Sequence, residues 1–158
     1  MYGMHKTTVY LPKELKASLA RMAKEQQRSE AEFPDQRRHQ ECAKALDERR
    51  GPFLLSPFVL AELDHLILKY AKHAAEVAFL DDVAAEAYFL APFSSHDVGE
   101  ATAVIQRFSD FEIGLADASI VVLSHRWKTL ELLTLDERHF RTLRGSGDQP
   151  FRLLPADS

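Results

Sequence analysis

Apolar positions change their spacing from one segment of the chain to the next, and each spacing predicts an element. "KTTVYLP" at residues 6–12 is rich in β-branched and aromatic side chains and ends at Pro12, which predicts a short strand. Leu15, Leu19, Met22 and Ala23 recur at helical spacing and predict a helix over 13–26. A very polar helix carrying Cys42, Ala45 and Leu46 follows over 35–50, closed by Gly51-Pro52. "PFLLS" at 52–56 reads as a brief buried strand. Helices are expected from Pro57 to about Tyr70, with an apolar face of Val59, Leu63, Leu66, Ile67 and Tyr70, and from about His73 to Glu86. "AYFLAP" at 87–92 predicts another strand, and a helix runs from about Asp97 to Phe108. A mostly apolar helix spans 114–127, "LELLTLD" holds a strand ending near Leu135, 137–144 is helical, and "FRLLP" at 151–155 is the last strand. Short apolar strands that alternate with helices predict an α/β fold, a parallel sheet flanked by helices. In such sheets function gathers at the carboxyl ends of the strands.

One stretch breaks this rhythm. In "RSEAEFPDQRRHQ" Ser29 and Glu32 form a capping box that announces a helix. Pro34 stops it after about one turn, because its ring clashes with the carbonyl four residues back.

Three carboxylates stand out against the hydrophobic pattern. Asp117 shares a helix face with Ile113, Ile120 and Val121. An unpaired carboxylate there is costly, so the site must supply a cation, a hydrogen-bond network or water. Glu62 follows Val59 by three and precedes Leu66 by four, on a helix that follows a strand. Asp136 follows the strand "LLTL", where an α/β sheet presents its chemistry, and is equally suited to cap the helix beginning at Glu137. Together they suggest an acidic pocket of the kind that hard cations such as Mg²⁺ or Mn²⁺ favour. Such a pocket can polarise a phosphodiester and activate water. His65 and His139 each stand three residues after one of these acids and read as solvated or supporting groups. Paired-His zinc spacing, a glycine-rich phosphate loop and a GxSxG elbow are all missing.

Charge and composition narrow the setting. Net charge is −4, split as +2 over residues 1–33 and −6 over the remainder. A mildly basic head is compatible with nucleic acid nearby, whereas an acidic body does not favour broad phosphate binding. The single Cys42 excludes an internal disulfide and a cysteine-rich zinc site. Apolar runs such as "ASIVVL" are too short to span a bilayer, and no secretory leader pattern opens the chain. A cytoplasmic protein without membrane contact is expected.

The segments "LLSPFVLAELDHLI", "FEIGLADASIVVLSHRWKTLELLTLDERHF" and "FRLLP" resemble PIN-domain ribonucleases, specifically VapC-type toxins of bacterial toxin–antitoxin pairs. The resemblance covers about residues 34–158. It implies an RNA-cleaving enzyme that uses Mg²⁺ or Mn²⁺ bound by four acids, and Glu62, Asp117 and Asp136 match three of them. The fourth, an Asp at the end of the family's first strand, has no counterpart, because that strand is missing before Pro34. Asp35 matches a later linker and does not replace it.

Residues 5–33, "HKTTVYLPKELKASLARMAKEQQRSEAEF", resemble the start of a ribbon-helix-helix antitoxin of VapB type, the usual partner of such toxins. That resemblance implies an appended strand–helix segment and a homodimer whose ribbon enters DNA, with Lys6, Thr8 and Tyr10 facing the groove. On this resemblance Pro34 marks a junction between an antitoxin front and a toxin lacking its first strand; the alternative is a native strand–helix appendage with a sharp turn at Pro34. The appended strand could fill that gap, but its side chains offer no carboxylate. An antitoxin-like DNA regulator, or an inactive decoy that pairs with the cognate antitoxin or toxin, are the alternatives to an RNA-cleaving enzyme.

Overall fold

A computed structural model of the chain describes residues 6–8, 41, 44, 53–71, 73–134 and 136–158. The elements are β1 (Lys6–Thr8), β2 (Phe53–Leu55), α1 (Pro57–Ala71), α2 (His73–Ala84), β3 (Tyr88–Leu90), α3 (Ser95–Arg107), α4 (Leu115–Trp127), β4 (Glu131–Leu133), α5 (Glu137–Phe140) and β5 (Arg152–Leu154). From residue 53 onward each expected strand and helix is found, with boundaries moved by a few residues. The helices predicted over 13–26, 29–33 and 35–50 lie outside the described residues, except that Glu41 and Lys44 are helical. Tyr10, Asp35 and the junction at Pro34 lie outside them as well.

All five strands run parallel in the order β3-β2-β1-β4-β5. The N-terminal strand therefore stands in the middle of the sheet instead of apart from it. Lys6 and Thr7 lie opposite Phe53 and Leu54 on one side, and Thr7 and Thr8 lie opposite Leu132 and Leu133 on the other. Both hydrogen-bonding edges of β1 are thus taken by its own chain, whereas a DNA-reading ribbon needs one edge for a second copy. From β1 the strand order steps outward to β2 and β3, then returns across the sheet to β4 and β5. The crevice where it reverses is at the carboxyl ends of β1 and β4.

Strands and helices form where they do because both sheet faces are covered. Leu54, Leu55, Leu132, Leu133, Leu153 and Leu154 are all buried, although neighbours in a strand point to opposite faces. The larger cluster joins Leu55, Leu132 and Leu153 to Val59, Leu63 and Ile67 of α1, Phe79 of α2, and Ile120 and Val121 of α4. Helix α4 is buried from Ala118 through Ser124, so it acts as the central helix. Among the described residues, no helix is long and apolar enough to cross a membrane.

Polar contacts lock the helices that carry the acids. Ser56, directly after β2, accepts the Phe58 N–H at 3.2 Å, and Pro57 occupies the first helical position, where its missing donor costs nothing. The Ser56 and Ser119 hydroxyls lie 2.6 Å apart and buried, while Ser119 donates to the Ala116 carbonyl at 2.6 Å. Ser56 is therefore the donor in the pair, and it ties the start of α1 to α4. Helix α3 opens with a capping box between Ser94 and Asp97. The Asp97 carboxylate also pairs with Arg126 of α4, and this guanidinium donates to the Pro92 carbonyl at 2.7 Å. The Arg126 hydrogen bond above all, helped by the Ser94 N–H, lowers the Asp97 pKa to about 2.

The turn after α5 tests how tightly β5 is packed. A Cβ on Gly145 would stand 2.7 Å from Ser124 Oγ, 2.8 Å from Leu130 Cδ2 and 2.9 Å from Phe151 Cε1. Ser124 Oγ is not free to move away, since it accepts the Ser146 N–H at 2.9 Å. Gly145→Ala is expected to cost about 1–3 kcal/mol by overpacking. The check is urea denaturation: a lower midpoint with unchanged slope is expected, and an unshifted midpoint would show that the turn relaxes freely.

Candidate active site

Of the three carboxylates singled out by pattern, Asp117 and Asp136 come together at the carboxyl end of the sheet, and Glu62 on α1 feels the charge of Asp117. Asp136 follows β4 and is the N-cap of α5: its Oδ1 accepts the His139 N–H at 3.1 Å. Its own N–H donates to the Thr134 hydroxyl at 3.0 Å, and Thr134 is buried. Both roles read from the sequence, cap and end-of-strand acid, are thus filled by one residue. Asp117 sits in the first turn of α4, where its Oδ2 accepts the Gly114 N–H at 3.2 Å. An acid at that end of a helix also faces the positive end of the helix dipole.

Asp117 is half-buried at the mouth of the site, not enclosed within an apolar stripe. Its neighbours on α4 are buried on nearly every side, so one face of this helix cannot be distinguished by hydrophobicity. Glu62, one turn into α1, is exposed. The buried line of that helix is Val59, Leu63 and Ile67, whereas Leu66 is 37% exposed, so Glu62 stands on the flank of the line rather than on it.

Electrostatics joins Glu62 to Asp117. Burial first, and the Asp117 charge second, raise the Glu62 pKa above its ordinary value. Asp117 is also raised, chiefly by burial and further by the Asp136 charge, against the lowering effects of the Gly114 N–H and His139. Carboxylates this close on a partly desolvated surface, Asp117 and Asp136 above all, are a donor set for a cation. Oxygen atoms of Asp117 and Asp136 and a ring nitrogen of His139 all lie within 4.8 Å of one another. The residues present therefore fit a divalent ion.

His139 was read from the sequence as a supporting group, and the structure brings it into the cluster. Its Nδ1 lies 2.9 Å from Asp136 Oδ2 and 3.9 Å from Asp117 Oδ2. The three-residue spacing reveals the first contact. The second depends on how α5 packs beside α4, which no local pattern reports. His65 is exposed and lines a groove of about 450 Å³ together with Ala61, Glu62 and Leu66. His96, Asp97 and Glu100 make a second group with metal-like spacing, but Asp97 is committed to Arg126 and Ser94.

Comparison with known proteins places this geometry. The chain is 36% identical over 126 residues to ribonuclease VapC26 of Mycobacterium tuberculosis, covering 80% of this chain and 91% of that protein. The chain belongs to the VapC ribonuclease family. The crystal structure of Mycobacterium tuberculosis VapC20, described as a sarcin–ricin loop cleaving toxin, shares the fold with a TM-score of 0.56 at 17% identity. That match covers 60% of this chain and 73% of VapC20. No family profile matches the chain. The expected VapC membership and PIN-like parallel sheet are therefore found.

The raised acids set a pH dependence for this VapC homologue. A carboxyl whose folded pKa lies above its unfolded value destabilises the metal-free protein when charged, and that cost disappears as pH falls through the raised value. A cation competes with protons for the same oxygens. Mn²⁺ affinity, measured by calorimetry from neutral pH downward, is expected to fall before the ordinary carboxylate range is reached. Affinity that stays level into that range would contradict the crowding of Glu62 and Asp117.

Proposed function

We propose that the protein is a metal-dependent endoribonuclease in which Glu62, Asp117 and Asp136 form one acidic site. The observation that carries this reading is the approach of Asp117 and Asp136, with Glu62 coupled to Asp117, at the carboxyl end of a parallel sheet. A divalent ion such as Mg²⁺ or Mn²⁺ held by these residues would supply Lewis acidity toward a phosphodiester and lower the pKa of the attacking water. The chain's own contribution is to hold the oxygens before substrate arrives. Gly114 N–H fixes Asp117, the Thr134 hydroxyl and the α5 cap fix Asp136, and the Ser56–Ser119 pair sets α1, which carries Glu62, against α4.

Water as the nucleophile leaves linear phosphate ends. A side chain that activates the RNA's own 2′-hydroxyl leaves a cyclic phosphate instead. RNA cut by the purified protein with Mn²⁺ is therefore expected to carry no 2′,3′-cyclic ends, and EDTA is expected to stop cleavage until metal is restored. Cyclic ends, or cleavage indifferent to EDTA, would point to a different chemistry.

VapC membership also supports an antitoxin of VapB type as partner. The likeness of residues 5–33 to the front of such an antitoxin rests on sequence, and the division at Pro34 remains part of this proposal. The DNA-binding alternative through Lys6, Thr8 and Tyr10, and the homodimer it needs, gain no support from a β1 whose two edges are already paired.

A further inference from the structure

We infer that His139 is a direct ligand of the bound ion, so that this site pairs carboxylate oxygens with one imidazole nitrogen and prefers Mn²⁺ to Mg²⁺. The inference rests on the acidic site proposed above and adds a donor to it. One nitrogen, Nδ1, faces both Asp136 Oδ2 at 2.9 Å and Asp117 Oδ2 at 3.9 Å. On an octahedral ion with bonds of about 2.1 Å, adjacent donors stand about 3.0 Å apart and opposite donors about 4.2 Å apart. The observed separations fall at the lower end and near the upper end of that span.

The bland role for such a histidine is to orient Asp136, and the backbone and Thr134 share that role. Asp136 Oδ1 accepts the backbone N–H of His139 at 3.1 Å, and the Asp136 N–H is held by Thr134 at 3.0 Å. In the metal-free protein the ring Nδ1 also hydrogen-bonds Asp136 Oδ2 at 2.9 Å, a contact that a bound ion would replace. The ring's position is defined, because the His139 side chain is only 21% exposed and the next residue, Phe140, is buried.

The donor set has a consequence for the choice of ion. Mg²⁺ takes oxygen ligands and keeps its waters, whereas imidazole suits ions further along the divalent series. One nitrogen among the carboxylates therefore favours Mn²⁺ over Mg²⁺.

The test uses Mn²⁺ alone, without RNA, on the full chain and on His139→Gln and Asp117→Asn. Glutamine keeps an amide able to hydrogen-bond Asp136 but removes the imidazole. Pulsed EPR of bound Mn²⁺ is expected to show a ¹⁴N coupling in the wild type that is lost in His139→Gln. Mn²⁺ affinity should fall about tenfold or more in that variant, with a smaller loss for Mg²⁺, while circular dichroism and melting temperature stay unchanged. Mn²⁺ that is bound, and lost in Asp117→Asn, but shows no nitrogen coupling would overturn the inference and leave the acidic site standing. A coupling that survives His139→Gln would overturn it too. No binding that depends on Asp117 would overturn both the inference and the site beneath it.

Discussion

Asp117→Asn is expected to abolish the response of the protein to divalent ions while leaving the metal-free fold no less stable. In the wild type, Mn²⁺ at about one hundred times its dissociation constant stabilises the folded state by about 2.7 kcal/mol. For a domain of this size that raises the melting temperature by roughly 5–10 °C. The variant should show none of that rise. Its metal-free melting temperature should match or exceed the wild-type value, because the substitution removes a carboxyl whose charged form burial and Asp136 disfavour. The asparagine oxygen can still accept the Gly114 N–H, so the helix cap survives. RNA cleavage should fall by a factor on the order of 10² or more, the loss typical of removing one charge-stabilising group from an active site. Thermal melts with and without Mn²⁺ decide the point; a variant that retains the full metal-induced rise would remove Asp117 from the site.

Phe140→Ala is expected to damage fold and site together. Phe140 is 2% exposed, and its ring meets Phe151 edge-on, with centroids 5.9 Å apart and planes at 89°. Truncating a buried phenylalanine costs about 3–5 kcal/mol, which lowers the melting temperature by on the order of 10 °C. Helix α5 is only four residues long, so its placement depends on this anchor and on Arg141, which pairs with Asp157 at 2.7 Å. Asp136 caps that helix and His139 lies within it, so Mn²⁺ affinity should drop as well. The two variants then separate: Asp117→Asn loses the metal alone, while Phe140→Ala loses both. A destabilised Phe140→Ala protein with undiminished Mn²⁺ affinity would show that Arg141 suffices to hold the acids in place.

The sheet was legible because strands buried on both faces appear as apolar runs, and "FLL" and the paired leucines of "ELL" and "RLL" carry that mark, whereas "YFL" at the sheet edge is apolar but largely exposed. Asp136 was legible for a related reason: end of strand and start of helix coincide there. The start of α3 at Ser95 could also have been placed, since Ser94 and Asp97 carry the spacing of a capping box. The sequence allowed the appended strand to fill the gap left by the missing first strand, and β1 does stand there, but its register was not legible. Three residues, "KTT", form a strand that could pair almost anywhere, and its central position comes from long-range register with β2 and β4. Nor could spacing reveal His139 beside Asp117, which lie on different helices. Glu62 was found by a stripe argument that the structure only partly supports, since Leu66 on its other side is exposed.

That β1 position bears directly on function. A three-residue strand from the N-terminal segment completes a five-stranded parallel sheet, so β2 and β4 are not left as open edges. The residues that follow it, Val9 and Tyr10, carry no carboxylate. In the site proposed above the chemistry then rests on Glu62, Asp117 and Asp136.

The central claim is that these three acids work as one site, and one measurement tests it most directly. Glu62→Gln, Asp117→Asn and Asp136→Asn are compared with the wild type for Mn²⁺-dependent cleavage of RNA, each at matched folded concentration. The account predicts that every one of the three falls by on the order of 10² or more while remaining folded. Near-wild-type cleavage by any one of them would contradict a shared site.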